Sequence, residues 1–183
     1  GEEEYLIGES IALIRNKVLS ETAQDFNYDQ YFVGDTTIDK VIDSVEMLPV
    51  MVEKRLVILR GVEKLKEKDW QALLPLLEDP VESTCFLLVT AKVDKRKKYF
   101  KAVQKKGQLV ELKRPYENQV AAWIDYIAFQ NQLRLGREEQ SLLFQLVGVN
   151  LSDINSEMKK LKQYVGDRET VTQEDVLQVI SRV

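Results

Sequence analysis

Apolar positions along the chain fall into two regimes: helical stripes alternating with short continuous apolar runs as far as Leu112, and helical stripes alone beyond Pro115. From Tyr5 to Leu19, the residues Leu6, Ile7, Ile11, Leu13, Ile14 and Val18 recur at helical spacing and predict an amphipathic helix. Asn27 to Val33 alternates like a short strand and ends at Gly34-Asp35. A second helix is predicted from Thr37 to Met47, with Thr37 as N-cap and Ile38, Val41, Ile42 and Val45 as its stripe. Leu56-Val57-Ile58-Leu59, bounded by Arg55 and Arg60, predicts a strand buried on both faces, as inside a parallel sheet. Asp69 to Glu78 reads as a helix carrying Trp70, Leu73, Leu74 and Leu77, with Pro75 requiring either a kink or a restart. Ser83 to Thr90 predicts a second buried strand, Lys95 to Lys106 a basic helix, and Gln108 to Leu112 a third core strand.

This alternation predicts an α/β domain over residues 1–114, a parallel sheet with flanking helices. A chain of this type is expected to begin with a strand, and Gly1 reads as the turn after one. Residues 115–183 predict a small helical bundle. Its helices are Tyr116 to Gln132 (Val120, Trp123, Ile124, Ile127), Arg137 to Val147 (Leu142, Leu143, Leu146) and Leu151 to Val165 (Ile154, Met158, Leu161, Val165). The last starts near Thr172 and carries Val176, Val179 and Ile180, with Thr172 as cap and Asp175 at the third helical position.

The connector Leu48-Pro49-Val50-Met51 breaks the pattern. Pro49 forbids a continuing helix, and Glu53-Lys54-Arg55 reads as solvated, yet three of the four residues are large and apolar. Either Leu48 and Val50 turn back into the core, or the loop meets a partner.

Composition narrows the chemistry. The chain has 183 residues, 44% hydrophobic and 31% charged, which suits an ordinary globular core. No apolar run approaches the roughly 20 residues needed to span a bilayer, and no signal-peptide pattern is visible, so a cytoplasmic location is expected. The single cysteine, Cys85, lies in Cys-Phe-Leu-Leu-Val and reads as a small buried hydrophobe. Histidine is absent, which removes the commonest general base and zinc ligand and every Ser-His or Cys-His nucleophile pair. No metal site and no cofactor are expected. A nucleotide-binding reading would need a Gly-rich loop with Lys-Ser/Thr and an acidic pair ending a buried strand. Where these would fall, the chain has Gly1-Glu2-Glu3-Glu4-Tyr5 and Arg60-Gly61, which argues against NTP hydrolysis and against catalysis generally.

A net charge of −4 gives no global attraction to nucleic acid, so such contact would need a local patch. Residues 92–106 offer one: Lys92, Lys95, Arg96, Lys97, Lys98, Lys101, Lys105 and Lys106, opposed only by Asp94 and interleaved with Tyr99 and Phe100. Three readings stay open: a solvated helix face, a nucleic-acid-binding module, or a protein-docking face.

The order of residues carries further information. The series runs Gly1-Glu2-Glu3-Glu4-Tyr5-Leu6-Ile7, then Lys54-Arg55-Leu56-Val57-Ile58-Leu59-Arg60 with Glu63-Lys64-Leu65, then Leu77-Glu78-Asp79-Pro80. It continues with Asp94-Lys95-Arg96-Lys97-Lys98, Tyr99 and Lys101-Ala102, and with Val147-Gly148, Leu151, Glu157, Lys160-Leu161 and Tyr164. Over nearly the whole chain this series resembles the delta subunit of the bacterial DNA polymerase III clamp loader.

The resemblance implies an AAA+-like, P-loop NTPase-type sheet that has lost its nucleotide chemistry, followed by a helical lid domain. In that family a strand precedes the position of Gly1 and a helical collar domain follows the lid. It implies a non-hydrolysing subunit of the polymerase III holoenzyme, itself a nucleotidyltransferase, located in the bacterial cytoplasm at the replisome. The implied partners are the beta sliding clamp, the gamma/tau and delta prime loader subunits, and DNA within the assembled loader, with no membrane. The clamp-binding loop of the family falls on Leu48, Pro49, Val50 and Met51, with Val50 and Met51 where the family usually has a leucine and a phenylalanine. Lys95, Arg96, Lys97, Lys98 and Lys101 are the candidates for DNA or subunit contact.

Overall fold

The computed structural model describes residues 1, 3–20 and 24–180; Glu2 of the acidic opening therefore lies outside the described residues. The chain divides into two compact units, Gly1–Glu2 with Leu6–Leu112, and Glu3–Tyr5 with Lys113–Val183.

In the first unit the order is α1 (Glu4–Val18), α2 (Gln24–Asn27), β1 (Tyr28–Phe32), α3 (Ile38–Glu46), β2 (Arg55–Arg60), a 3-10 turn (Val62–Lys64), α4 (Glu67–Glu78), β3 (Thr84–Val89) and α5 (Lys98–Lys106). The strands form a parallel sheet in the order β1-β2-β3, with Tyr28 opposite Leu56 and Leu56 opposite Cys85. Leu56 to Leu59 is wholly buried, and its side chains alternate between two cores as strand geometry requires. Val57 and Leu59 pack with Val41 and Val45 of α3 and Leu73, Leu76 and Leu77 of α4. Leu56 and Ile58 pack with Leu19 and the apolar stripe of α1 at Ile11, Ile14 and Val18. The central strand is thus sandwiched between helical layers. Leu13, read as part of the α1 stripe, instead faces outward.

Several other expectations are corrected. Asn27 ends the short helix α2 and does not open the strand. Helix α4 starts two residues early, at Glu67, and runs through Pro75 without a restart. Proline removes the bond to the carbonyl four residues back, that of Gln71; Gln71 and Pro75 both lie on the exposed side, where water can take that carbonyl. The strand β3 is half-buried rather than buried, because among the described residues it pairs only with β2. Cys85 on it is likewise half-buried, and that burial pushes its thiol pKa up.

Helix α5 starts at Lys98, not Lys95. Asp94 accepts from the Arg96 backbone N–H at 3.1 Å and from its guanidinium at 3.0 and 3.1 Å, a local turn that competes with helix. Gln108 to Leu112 is not a strand: no ladder reaches it among the described residues, and Leu109 and Val110 are exposed. A five-residue segment without a neighbouring strand cannot satisfy its backbone by ladder pairing.

The second unit comprises α6 (Glu117–Gln130), α7 (Arg137–Val147), α8 (Leu151–Val165) and α9 (Gln173–Ile180), close to the predicted bundle. Val120, Ile124, Ile127, Leu143, Ile154, Met158, Leu161 and Val176 are buried, whereas Leu146 is exposed. The predicted cap of the last helix forms in full. Asp175 accepts from the Thr172 backbone N–H at 2.8 Å, its own N–H donates to the Thr172 hydroxyl at 3.3 Å, and Arg168 clamps the carboxylate at 2.8 and 2.9 Å.

Arg168, together with the Thr172 donors, holds the Asp175 carboxyl down at about 2. Because the folded pKa lies below the ordinary carboxylate value, this contribution is complete above about pH 4 and is lost as pH falls toward 2. Asp175→Asn is expected to destabilise the protein at pH 7 by about 1–2 kcal/mol and to flatten the stability loss between pH 4 and 2, measured by urea unfolding at each pH.

Candidate functional site

The segment from Met47 to Lys54 leaves α3 and enters β2, so it lies at the N-terminal edge of the parallel sheet. Helix α3 ends at its cap Met47, whose N–H donates to the Asp43 carbonyl at 3.0 Å while its own backbone turns extended. Pro49 makes that ending obligatory, since it cannot continue a helix and it disfavours helical backbone at Leu48.

The loop turns its apolar side chains outward. Met51 is 99% exposed, Leu48 75% and Val50 46%, Met47 is also exposed and Pro49 is half-buried. The alternative in which Leu48 and Val50 fold back into the core is therefore not what the chain does. Met51 also has φ of 59°, the left-handed region, which costs a non-glycine residue about 1–2 kcal/mol. Strain of that kind persists only where neighbouring structure holds it.

A set of polar residues under the loop supplies the hold. Asn27 is fully buried; its side-chain oxygen accepts from the Val50 N–H at 2.7 Å and its side-chain nitrogen donates to the Val50 carbonyl at 2.9 Å. Thr84, opening β3, donates its hydroxyl to the Val45 carbonyl at 2.7 Å, fastening the last turn of α3 to the sheet. Ser44 donates to Asp29 on β1 at 2.8 Å, and Asp29 also pairs with Arg55 at the start of β2. Arg55 is 2% exposed, so it is not the solvated residue expected beside Lys54. The register puts Asp29 opposite Val57, on the same face as Arg55 two residues earlier, a diagonal cross-strand pair.

None of Asn27, Asp29, Ser44, Arg55 or Thr84 was singled out by the sequence pattern. A charged residue in a short alternating strand is the one local signal, and at Asp29 it reads equally well as a solvated position.

The basic candidates are distributed differently. Lys95, Arg96, Lys97, Lys98 and Lys101 are all exposed. Arg96 is engaged by Asp94, whose carboxyl it holds down at about 2, and Lys97 lies 3.7 Å from Glu67. The aromatic residues of this stretch point inward: Phe100 is buried and Tyr99 stacks on Trp70 at 3.8 Å, tying α5 to α4. Lysine ammonium groups and the Asp94-engaged Arg96 guanidinium face outward there, and the structure does not bring them together with the Leu48 to Met51 loop into one site.

At the opposite, C-terminal edge, β2 ends in Arg60-Gly61, with Gly61 at a φ of 76° that favours glycine. The nearby Glu63 carboxylate accepts from the Thr90 hydroxyl at 3.1 Å and the Ala91 N–H at 3.3 Å. No cluster of three or more metal-ligating side chains occurs among the described residues, and no helix among them is long and apolar enough to cross a membrane.

Residues 1–113 match the family model described as DNA polymerase III, delta subunit. The chain belongs to that delta subunit family. Over its full length it is 33% identical to DNA polymerase III subunit delta of Bacillus subtilis, of which it spans 55%. It matches the solved Bacillus subtilis DNA clamp loader delta protein with a TM-score of 0.71 at 31% identity, covering all of this chain and 57% of that one. The fold extends further, to the Holliday junction branch migration motor of Thermotoga maritima, with a TM-score of 0.55 at 11% identity over 85% of this chain and 52% of that one. The AAA+-like fold class read from the delta resemblance is thereby borne out.

The polar layer of this delta-family chain is open to test. Removing Asp29 leaves Arg55 buried without its counter-charge, so Asp29→Ala is expected to cost about 3 kcal/mol in urea unfolding. Asp29→Ala with Arg55→Met is expected to recover at least half of that loss, since no buried charge is then stranded.

Proposed function

We propose that this chain is the clamp-opening part of a DNA polymerase III delta subunit, a wrench that binds the beta sliding clamp and hydrolyses nothing. The observation that carries the reading is the exposed apolar tip Leu48-Pro49-Val50-Met51, held at the sheet edge by the buried Asn27 side chain. An apolar group kept in water by a strained, hydrogen-bonded backbone gains free energy only when a partner covers it.

Val50 and Met51 form the inserted tip, Leu48 the flank, and Pro49 limits the conformational entropy lost on binding. Binding an opened or strained clamp interface more tightly than the closed one shifts the clamp toward opening by at most that difference in affinity. The lack of nucleotide chemistry is supported by Arg60-Gly61 at the end of β2 and by the engagement of Glu63 with Thr90 and Ala91. In this reading residues 1–114 are a degenerate AAA+-like domain and 115–183 its lid. The gamma/tau and delta prime subunits are partners within the loader, at the replisome in the cytoplasm.

A second reading keeps the basic helix as a contact to DNA. Lys98, Lys101, Lys105 and Lys106 line one shallow groove with Glu78 and Ala102, which favours backbone phosphate over stacked bases. Steeply salt-dependent binding of primed DNA by the purified protein would support it.

For the clamp reading, Val50→Ala with Met51→Ala is expected to raise the Kd for the cognate sliding clamp by about 30-fold, roughly 2 kcal/mol, in a surface binding assay. Unchanged affinity would remove the loop from the interface.

A further inference from the structure

Asn27 stands outside the tip and makes no use of its own exposure, being wholly buried, yet it bonds both backbone groups of one tip residue. Its amide acts toward Val50 as a neighbouring strand would, accepting one N–H and donating to one carbonyl. One orientation of the amide satisfies both bonds, so its oxygen and nitrogen are assigned by the loop itself.

The two bonds fix the backbone of Val50 immediately before Met51, whose left-handed φ of 59° turns the chain shortly before it enters β2 at Arg55. With Val50 held, the outward course of Met51 is fixed; with Val50 released, the strain at Met51 favours relaxation to ordinary backbone. Aspartate would fit the same space but carries no donor, and its charge would face the Val50 carbonyl. Glutamine adds a methylene in a site with no exposure.

We propose that Asn27 is a positioning residue for the clamp contact: it pre-forms the bound shape of the loop by holding Val50 on both backbone groups, so that Val50 and Met51 are presented with little backbone ordering cost at binding. This rests on the reading of Leu48 to Met51 as the clamp-binding tip.

The test uses the full-length protein and the cognate sliding clamp. Asn27→Ala and Asn27→Asp are each placed in the wild-type background and together with Val50→Ala and Met51→Ala, and clamp affinity is measured for each. Amide hydrogen exchange follows Val50 and the strand Leu56 to Leu59 in parallel. Expected are about a tenfold loss of affinity from either Asn27 change alone, little further loss when the tip is already truncated, and faster exchange at Val50 with β2 unchanged.

Wild-type affinity in both Asn27 variants, with the tip variants still impaired, would overturn the positioning role and leave the clamp reading standing. Equal losses with and without the tip would assign Asn27 an effect that does not pass through Val50 and Met51, and would also overturn it. Faster exchange across Leu56 to Leu59 in both variants would make Asn27 a residue of the fold rather than of the loop. If the tip truncation itself leaves affinity unchanged, the clamp reading fails first and takes this inference with it.

Discussion

Burial of β2 on both faces is the constraint from which the rest of the first unit follows. Leu56 to Leu59 contributes side chains to two cores at once and its backbone groups to two parallel neighbours, so nothing in it is left to meet a ligand. Interaction is pushed to the ends of the strand. In parallel α/β sheets of this kind ligands usually sit at the carboxyl edge, outside the strand ends. Here that edge carries Arg60-Gly61 and a carboxylate already bonded to Thr90 and Ala91, while the apolar loop stands at the amino edge.

An exposed apolar loop is unstable unless something other than its own side chains shapes it. In this chain the shaping groups are polar and the shaped groups apolar, the reverse of the ordinary division between inside and outside. Asn27, Asp29, Ser44, Arg55 and Thr84 come from five elements, α2, β1, α3 and the starts of β2 and β3, which meet at one edge only because the strands are parallel and in register. The Arg55–Asp29 pair illustrates the energetics of such a layer. A buried guanidinium is costly, and it contributes to fixing the loop's entry into β2 only while its partner is present.

That arrangement bears on the proposed work at the clamp. In the proposed clamp contact, Met51 stands where the delta resemblance implies a phenylalanine, and a flexible side chain there gives up preorganised contact area. A backbone fixed at Val50 and stiffened at Pro49 offsets part of the loss, since the ordering cost then falls on the Met51 side chain rather than on the whole loop.

What the sequence determined by itself was whatever depends on local pattern. The strand Leu56 to Leu59, helix α3 with its Thr37 cap, the four-helix second unit and the reciprocal Thr172–Asp175 cap were legible because each is written within a few residues of itself. The ordered series of residues made the family legible as well. Decided only by tertiary structure were the half-burial of β3, the course of Gln108 to Leu112 outside the strand ladders, and the burial of Arg55, since each depends on which strand lies alongside. The same holds for the Leu48 to Met51 loop. Its composition left two directions open, inward and outward; the chain takes the outward one, with Val50 held by Asn27, 23 residues away along the chain. A side-chain bond across that separation exists only once β1 and β2 have paired, which is why no local reading of the sequence contains it.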